Sequence, residues 1–180
     1  LQQGSQELEA ANADPFPFDA ASIDALVLSH AHIDHVGRVP LLVRRGFRGP
    51  IWTQRATADL VPIMLMDAAS LAESDAERQN RRRGAGEPQV VPLYSRDDVR
   101  EALELLQPLP YDARTTILDG VDIALRDAGH ILGSANVELW ADGRKLVFSG
   151  DLGPRGTPIL RDPTPIREAD LPLRAATYGG

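Results

Sequence analysis

Three of the chain's four histidines crowd into one stretch, Ser29-His30-Ala31-His32-Ile33-Asp34-His35, directly after the apolar run Ile23-Asp24-Ala25-Leu26-Val27-Leu28. Several imidazoles and a carboxylate in one turn are costly to fold around unless they hold a cation. The fourth histidine, His130, stands in Asp127-Ala128-Gly129-His130-Ile131-Leu132-Gly133-Ser134, and an anionic candidate, Asp151, in Phe148-Ser149-Gly150-Asp151-Leu152-Gly153. Side chains two apart on an extended segment share a side, so His30 and His32 can grip one ion. Asp34 and His35 follow after the chain has turned into a helix, and they point toward a second ion. His130 is placed to complete the first ligand set, and Asp151, with two carboxylate oxygens, is the natural bridge. Gly129 and Gly150 let the backbone turn tightly beside those two ligands. Nitrogen and oxygen ligands without sulfur suit Zn²⁺, with Mn²⁺ and Fe chemically compatible. Two cations sharing one water lower its pKa, so hydrolysis is the expected reaction.

These ligands need strand ends to present them. Ala25 to Ser29 reads as a short buried strand, and His35 to Arg45 as a helix with Val36, Val39, Leu42 and Val43 on one face, closed by Gly46. Pro40 falls in its first turns, where a missing amide is tolerated. Ile51-Trp52-Thr53 is a second strand. Thr57 to about Asn80 reads as a helix with Leu60, Ile63, Met64 and Leu71 inward, and Arg81 to Pro88 as a loop. Ser95-Arg96-Asp97-Asp98 is a capping box opening a helix whose inner face is Val99, Ala102, Leu103 and Leu106. From about Thr115 to Ser149 the pattern is β, with hairpins at Asp119-Gly120 and Asp142-Gly143. The proline-rich stretch from Gly153 to Asp170 reads as irregular surface chain. The class is α/β, with a mixed pair of sheets flanked by helices rather than a doubly wound parallel sheet.

Composition bounds the rest. The chain has 180 residues, 43% of them hydrophobic and 25% charged, which fits one globular domain with a sizeable core. It has no cysteine, which excludes disulfides and thiolate metal sites, and no apolar stretch long enough to span a membrane. A cytoplasmic location is expected. The net charge of −7 argues against gripping nucleic acid by bulk electrostatics. It leaves room for a nuclease, because bound cations add local positive charge. The first residue is Leu and no secretory signal opens the chain, so a fragment or processed chain is expected. Arg81, Arg82 and Arg83 read as a solvated group, and Trp52 and Trp140 as core or rim packing. Glu7-Leu8-Glu9 reads as a solvated helix start, and Gly133-Ser134 reads equally well as a turn or as backbone amides offered to a phosphate.

His30-Ala31-His32-Ile33-Asp34-His35 resembles the His-x-His-x-Asp-His signature of the metallo-β-lactamase fold. The segments from Asn12 to Phe18, Ile23 to Leu28, Gly49 to Ile51, Asn80 to Arg82, Pro92 to Tyr94, Asp127 to Ala135 and Phe148 to Gly153 are similar to its β-CASP branch of RNA-processing nucleases. The likeness runs from about Gln3-Gly4 to Tyr178-Gly179. It implies a metallo-β-lactamase-like four-layer αββα sandwich, with the site at one edge of the paired sheets. It implies that His30, His32 and His130 hold one zinc, that Asp34 and His35 hold the other, and that Asp151 bridges them. Asp34 is in addition the residue taken as catalytic. The implied reaction is attack of a bridging hydroxide on an RNA phosphodiester.

The likeness also sets expectations about what this sequence lacks. Residues 1–180 are expected to form a partial metallo-β-lactamase domain, the first half of the sandwich only, with the β-CASP insertion and the C-terminal half absent. The histidine that completes the second zinc site and the one thought to protonate the leaving oxygen are both missing. The family's Glu-Ser-Thr-Tyr-Gly appears as Ala175-Ala176-Thr177-Tyr178-Gly179. Two alternatives stand beside the ribonuclease: a small-molecule metallo-hydrolase acting on thioesters, lactones or cyclic phosphodiesters, and a non-catalytic remnant. Exposed sheet edges in a truncated sandwich favour a homo-oligomer.

Overall fold

A computed structural model describes Leu1, residues 11–84 and residues 86–174. The readings at Gln3-Gly4, at Glu7-Leu8-Glu9 and at Ala175 to Gly179 lie outside them. The strands are β1 (Leu26–Val27), β2 (Ile51–Gln54), β3 (Leu106–Leu109), β4 (Thr115–Leu118), β5 (Val121–Asp127), β6 (Ala135–Ala141), β7 (Arg144–Ser149) and β8 (Leu171–Arg174). The helices are α1 (Ile33–Val36), α2 (Val39–Arg44), α3 (Arg55–Arg82) and α4 (Arg96–Glu104). The chain divides into two compact units, one of Leu1–Ile23, His32–Arg48 and Val61–Leu105, the other of Asp24–Ala31, Gly49–Leu60 and Leu106–Gly180.

The second unit holds both sheets. One is a three-stranded parallel sheet in the order β1-β2-β3; the other is five-stranded in the order β4-β5-β6-β7-β8. Parallel neighbours need long crossovers, and the helices lie between β1 and β2 and between β2 and β3 in sequence. From β4 to β7 each strand returns antiparallel, β4 to β5 and β6 to β7 through the two expected Asp-Gly turns and β5 to β6 through the loop that carries His130. At Asp142-Gly143 both residues have positive φ, as a two-residue type I′ hairpin demands; at Asp119-Gly120 only the glycine does. The proline-rich stretch is irregular as expected, and it crosses over to bring β8 parallel to β7. Period-two alternation turns Ile123, Leu125, Ala135 and Val137 inward, where they pack with Leu109, Val27 and Trp52 of the other sheet.

The first unit is helical. The expected helix from His35 to Arg45 is two, α1 and α2, broken at Gly37 and Arg38, with Pro40 in the first turn of α2. Arg38 and Arg45 donate to the carbonyl of Asp14 at 2.7 Å each and lie over the ring of Phe16. The segment from Asn12 to Phe18 is therefore clamped onto α2. The box opening α4 is present, with Ser95 and Asp98 capping each other's amides.

Four sequence expectations need correction. Ile63 and Leu71 of α3 are 66% and 61% exposed; the buried stripe is Val61, Leu65, Ala69 and Ala76. At the helix start Thr57 is fully buried, and its hydroxyl donates to the carbonyl of Gly133. Helix α3 also continues through Arg81 and Arg82, which belong to no loop. Leu106 opens β3 and is not part of the α4 face. Finally, the ladder of β1 covers only Leu26 and Val27, although Leu28 still donates to Trp52 at 2.9 Å.

Candidate metal centre

Strand direction brings the ligands together. Strands β5 and β7 both run antiparallel to β6, so they point the same way and end at one edge of the sheet. His130 lies in the loop leaving β5, and Asp151 lies two residues beyond β7. The end of β1 is tied to that edge because the amide of Ala135, at the start of β6, donates to the carbonyl of Ser29 at 2.8 Å. His30 comes next and is fully buried.

The geometry follows. Asp151 Oδ2 lies 4.0 Å from His30 Nε2 and 3.7 Å from His130 Nε2, and the two imidazoles meet edge to face with centroids 5.1 Å apart. His32 stands two residues along from His30 on extended backbone, φ −62° and ψ 144°. One ligand atom from each of His30, His32, His130 and Asp151 falls within 4.8 Å of the others. Among the described residues this is the one such group of three or more. A tetrahedral zinc with bonds of about 2 Å sets its ligands roughly 3.3 Å apart. The cradle is slightly wider than that, with Asp151 Oδ2 3.7 and 4.0 Å from two of the imidazoles. Three imidazoles and a carboxylate at this spacing fit a divalent cation. Asp34 and His35 are not in the group; on α1 they pair with each other, Asp34 Oδ2 3.6 Å from His35 Nε2.

Residues that are not ligands hold the cradle in place. The Ser29 hydroxyl lies 3.0 Å from His30 Nδ1, which leaves Nε2 facing Asp151. The Ser134 hydroxyl accepts from the amides of His130 at 3.0 Å and Ile131 at 3.2 Å, while its carbonyl accepts from Ala128 and from the Tyr111 hydroxyl. Burial, first of all, raises the Tyr111 phenol well above its usual range, with Asp127 adding to the effect, so it stays a donor. The loops carrying His130 and Asp151 are joined by the Gly153 amide, which donates to Ala128 at 2.9 Å. That approach requires glycine, since a Cβ at residue 153 would stand 1.6 Å from the carbonyl oxygen of Gly129. Ser29, Thr57, Tyr111 and Ser134 were missed as site residues from sequence. Only Gly133-Ser134 left a trace there, and its turn accounts for it.

The cradle lies where the ends of β1, β5 and β7 meet at one edge of the sheets. A family model for the metallo-beta-lactamase superfamily matches residues 8–178, and the chain belongs to that superfamily. It is 42% identical over 177 residues to a Thermus thermophilus protein named Ribonuclease TTHA0252, covering 98% of this chain and 36% of that protein. It is 33% identical over 132 residues to Transcription termination factor FttA of Cenarchaeum symbiosum, covering 72% of this chain and 18% of that protein. It is 30% identical over 162 residues to an RNase J-like protein of Methanocaldococcus jannaschii, covering 89% and 33%. The chain thus spans little more than a third, at most, of these relatives' lengths. Their names agree with the β-CASP likeness. Among the described residues no helix is long and apolar enough to cross a membrane.

Proposed function

We propose that this chain is the metal-holding part of a zinc-dependent ribonuclease of the β-CASP type, acting in the cytoplasm. The observation that carries the reading is the convergence of His30, His32, His130 and Asp151 from three remote strand ends. Ribonuclease names among relatives at up to 42% identity support RNA as the substrate. The low share of those relatives that the chain covers supports reading residues 1–180 as part of a larger metallo-β-lactamase domain. In that reading the β-CASP insertion and the C-terminal half lie outside this sequence.

His30, His32 and His130 would hold one cation, Asp34 and His35 would serve a second, and Asp151, with two carboxylate oxygens, could serve either. Bound divalent metal lowers the pKa of water toward neutrality and neutralises charge developing on the attacked phosphate. The protein's own part is positional. Ser29 fixes the face of the His30 ring, and Ser134 shapes the loop that presents His130. Asp34, on α1 beside His35, is the residue proposed as catalytic. Imidazole and carboxylate donors without thiolate favour zinc, with Mn²⁺ and Fe as chemically compatible replacements. The half-exposed Leu171 and Leu173 on edge strand β8 support self-association, which sizing of the purified protein tests.

The test uses the whole protein with zinc on a single-stranded and a hairpin RNA. Wild type is expected to cut RNA and to carry stoichiometric metal, and His32→Ala to lose both. Hydrolysis of a thioester or lactone with both RNAs intact overturns the substrate class. Wild type without bound metal overturns the site.

A further inference from the structure

We infer that the hollow beside the His130 loop is a subsite for one nucleobase of the RNA, held by apolar contact and not by reading of base edges. This rests on the ribonuclease reading above. The cavity has a volume of about 270 Å³, and its walls include Gln54, Tyr111, Asp127, Leu132, Ile159 and Arg161. Leu132 lies two residues from His130, so a phosphodiester at the cradle that His130 helps to form would have its attached nucleoside toward this wall.

Two large apolar side chains stand in water here. Leu132 is 58% exposed and Ile159 is 98% exposed. Neither is loosely attached. Gly133, with φ +82°, is locked by the Thr57 hydroxyl donating to its carbonyl at 2.8 Å, which fixes Leu132. The loop bearing Ile159 is closed by the Gly156 amide donating to Asp162 at 2.7 Å and is anchored by the Thr164 amide donating to Asp127 at 2.8 Å. Ile159 itself has φ +78°, a conformation that a β-branched residue adopts only against steric cost. Strain of this kind gathers at ligand-binding positions.

One atom of each of three polar wall side chains is already used within the protein. Gln54 Oε1 accepts from the Ala56 amide, Asp127 Oδ1 from the Gly129 amide, and the Tyr111 hydroxyl donates to Ser134. What faces a ligand is the exposed Leu132 and Ile159 together with the Arg161 cation and the second oxygen of Asp127, a setting for a base beside its phosphate.

The experiment compares KM of the whole protein for an RNA intact or abasic at the nucleotide flanking the cleaved bond. Removal of the base is expected to raise wild-type KM about tenfold. Leu132→Ala is expected to raise KM about as much on intact RNA and little further on the abasic strand, with bound metal unchanged. Ile159→Gly, which removes both the side chain and the strain, should do the same while raising thermal stability, and it serves if Leu132→Ala does not fold. Equal wild-type KM for both RNAs, or equal KM rises on both in the variants, overturns the subsite while leaving the ribonuclease reading intact. A wild type that cuts neither RNA overturns both.

Discussion

Replacing Ser134 by alanine isolates the link between loop shape and cation binding. Ser134 is fully buried, and its hydroxyl is the acceptor for the amides of His130 and Ile131, 3.0 and 3.2 Å away. Alanine leaves the backbone bonds of residue 134 in place and strands those two donors. Each stranded, partly buried amide costs about 1 kcal/mol or more, so a total loss on the order of 2–3 kcal/mol is expected. For a domain of this size that corresponds to a melting temperature roughly 5–10 °C lower. Removal of a group that orients a ligand typically weakens metal binding by about 10- to 100-fold. Thermal unfolding measures the first effect, and zinc competition against a chromogenic chelator measures the second. A variant that melts earlier yet binds zinc as tightly as wild type would refute the idea that Ser134 positions His130.

Three further outcomes are expected. Gly153→Ala should lose most bound metal, because the new Cβ must push the Asp151 strand end off the Gly129 carbonyl; metal analysis checks this. Glu138 is buried between Arg126 and Lys145, each 2.5 Å from one of its oxygens, so Glu138→Gln should destabilise by about 3 kcal/mol in urea. Burial pushes the Tyr94 phenol up to about 12, and its hydroxyl has no hydrogen-bond partner among the described residues. Below pH 10 the phenol is neutral in folded and unfolded chains alike; between 10 and 12 the unfolded chain ionises first, so stability falls. Tyr94→Phe should flatten that alkaline decline and raise stability at neutral pH by about 1 kcal/mol.

Four of the six candidate ligands converge and were readable because they are chemically unusual where they stand; Asp34 and His35, equally unusual, do not join that group. His30, His32, His130 and Asp151 all follow β-like runs and carry groups that a core does not take without cause. Strands β3 and β8 were not readable, since Pro108 and Pro172 argue against a strand. Both are edge strands, where a missing amide costs no ladder bond. The inward face of α3 was misjudged because bulk suggested Ile63 and Leu71, while the buried stripe includes two alanines. The bracing of the cradle was hidden for another reason. Ser29, Thr57, Tyr111 and Ser134 are ordinary residues whose importance lies wholly in tertiary hydrogen bonds.

That bracing has a consequence for cargo choice. The loops bearing His130 and Asp151 are fastened by hydroxyls and backbone amides, none of which contributes to the ion's own ligand set. Emptying the cradle therefore leaves its scaffold standing, and stripping with EDTA should hardly alter the far-ultraviolet circular dichroism. A pre-shaped holder of this kind exchanges its occupant without refolding. Which ion resides there is then decided by cellular supply as much as by affinity, and mismetallation is the failure to which such a protein is most open.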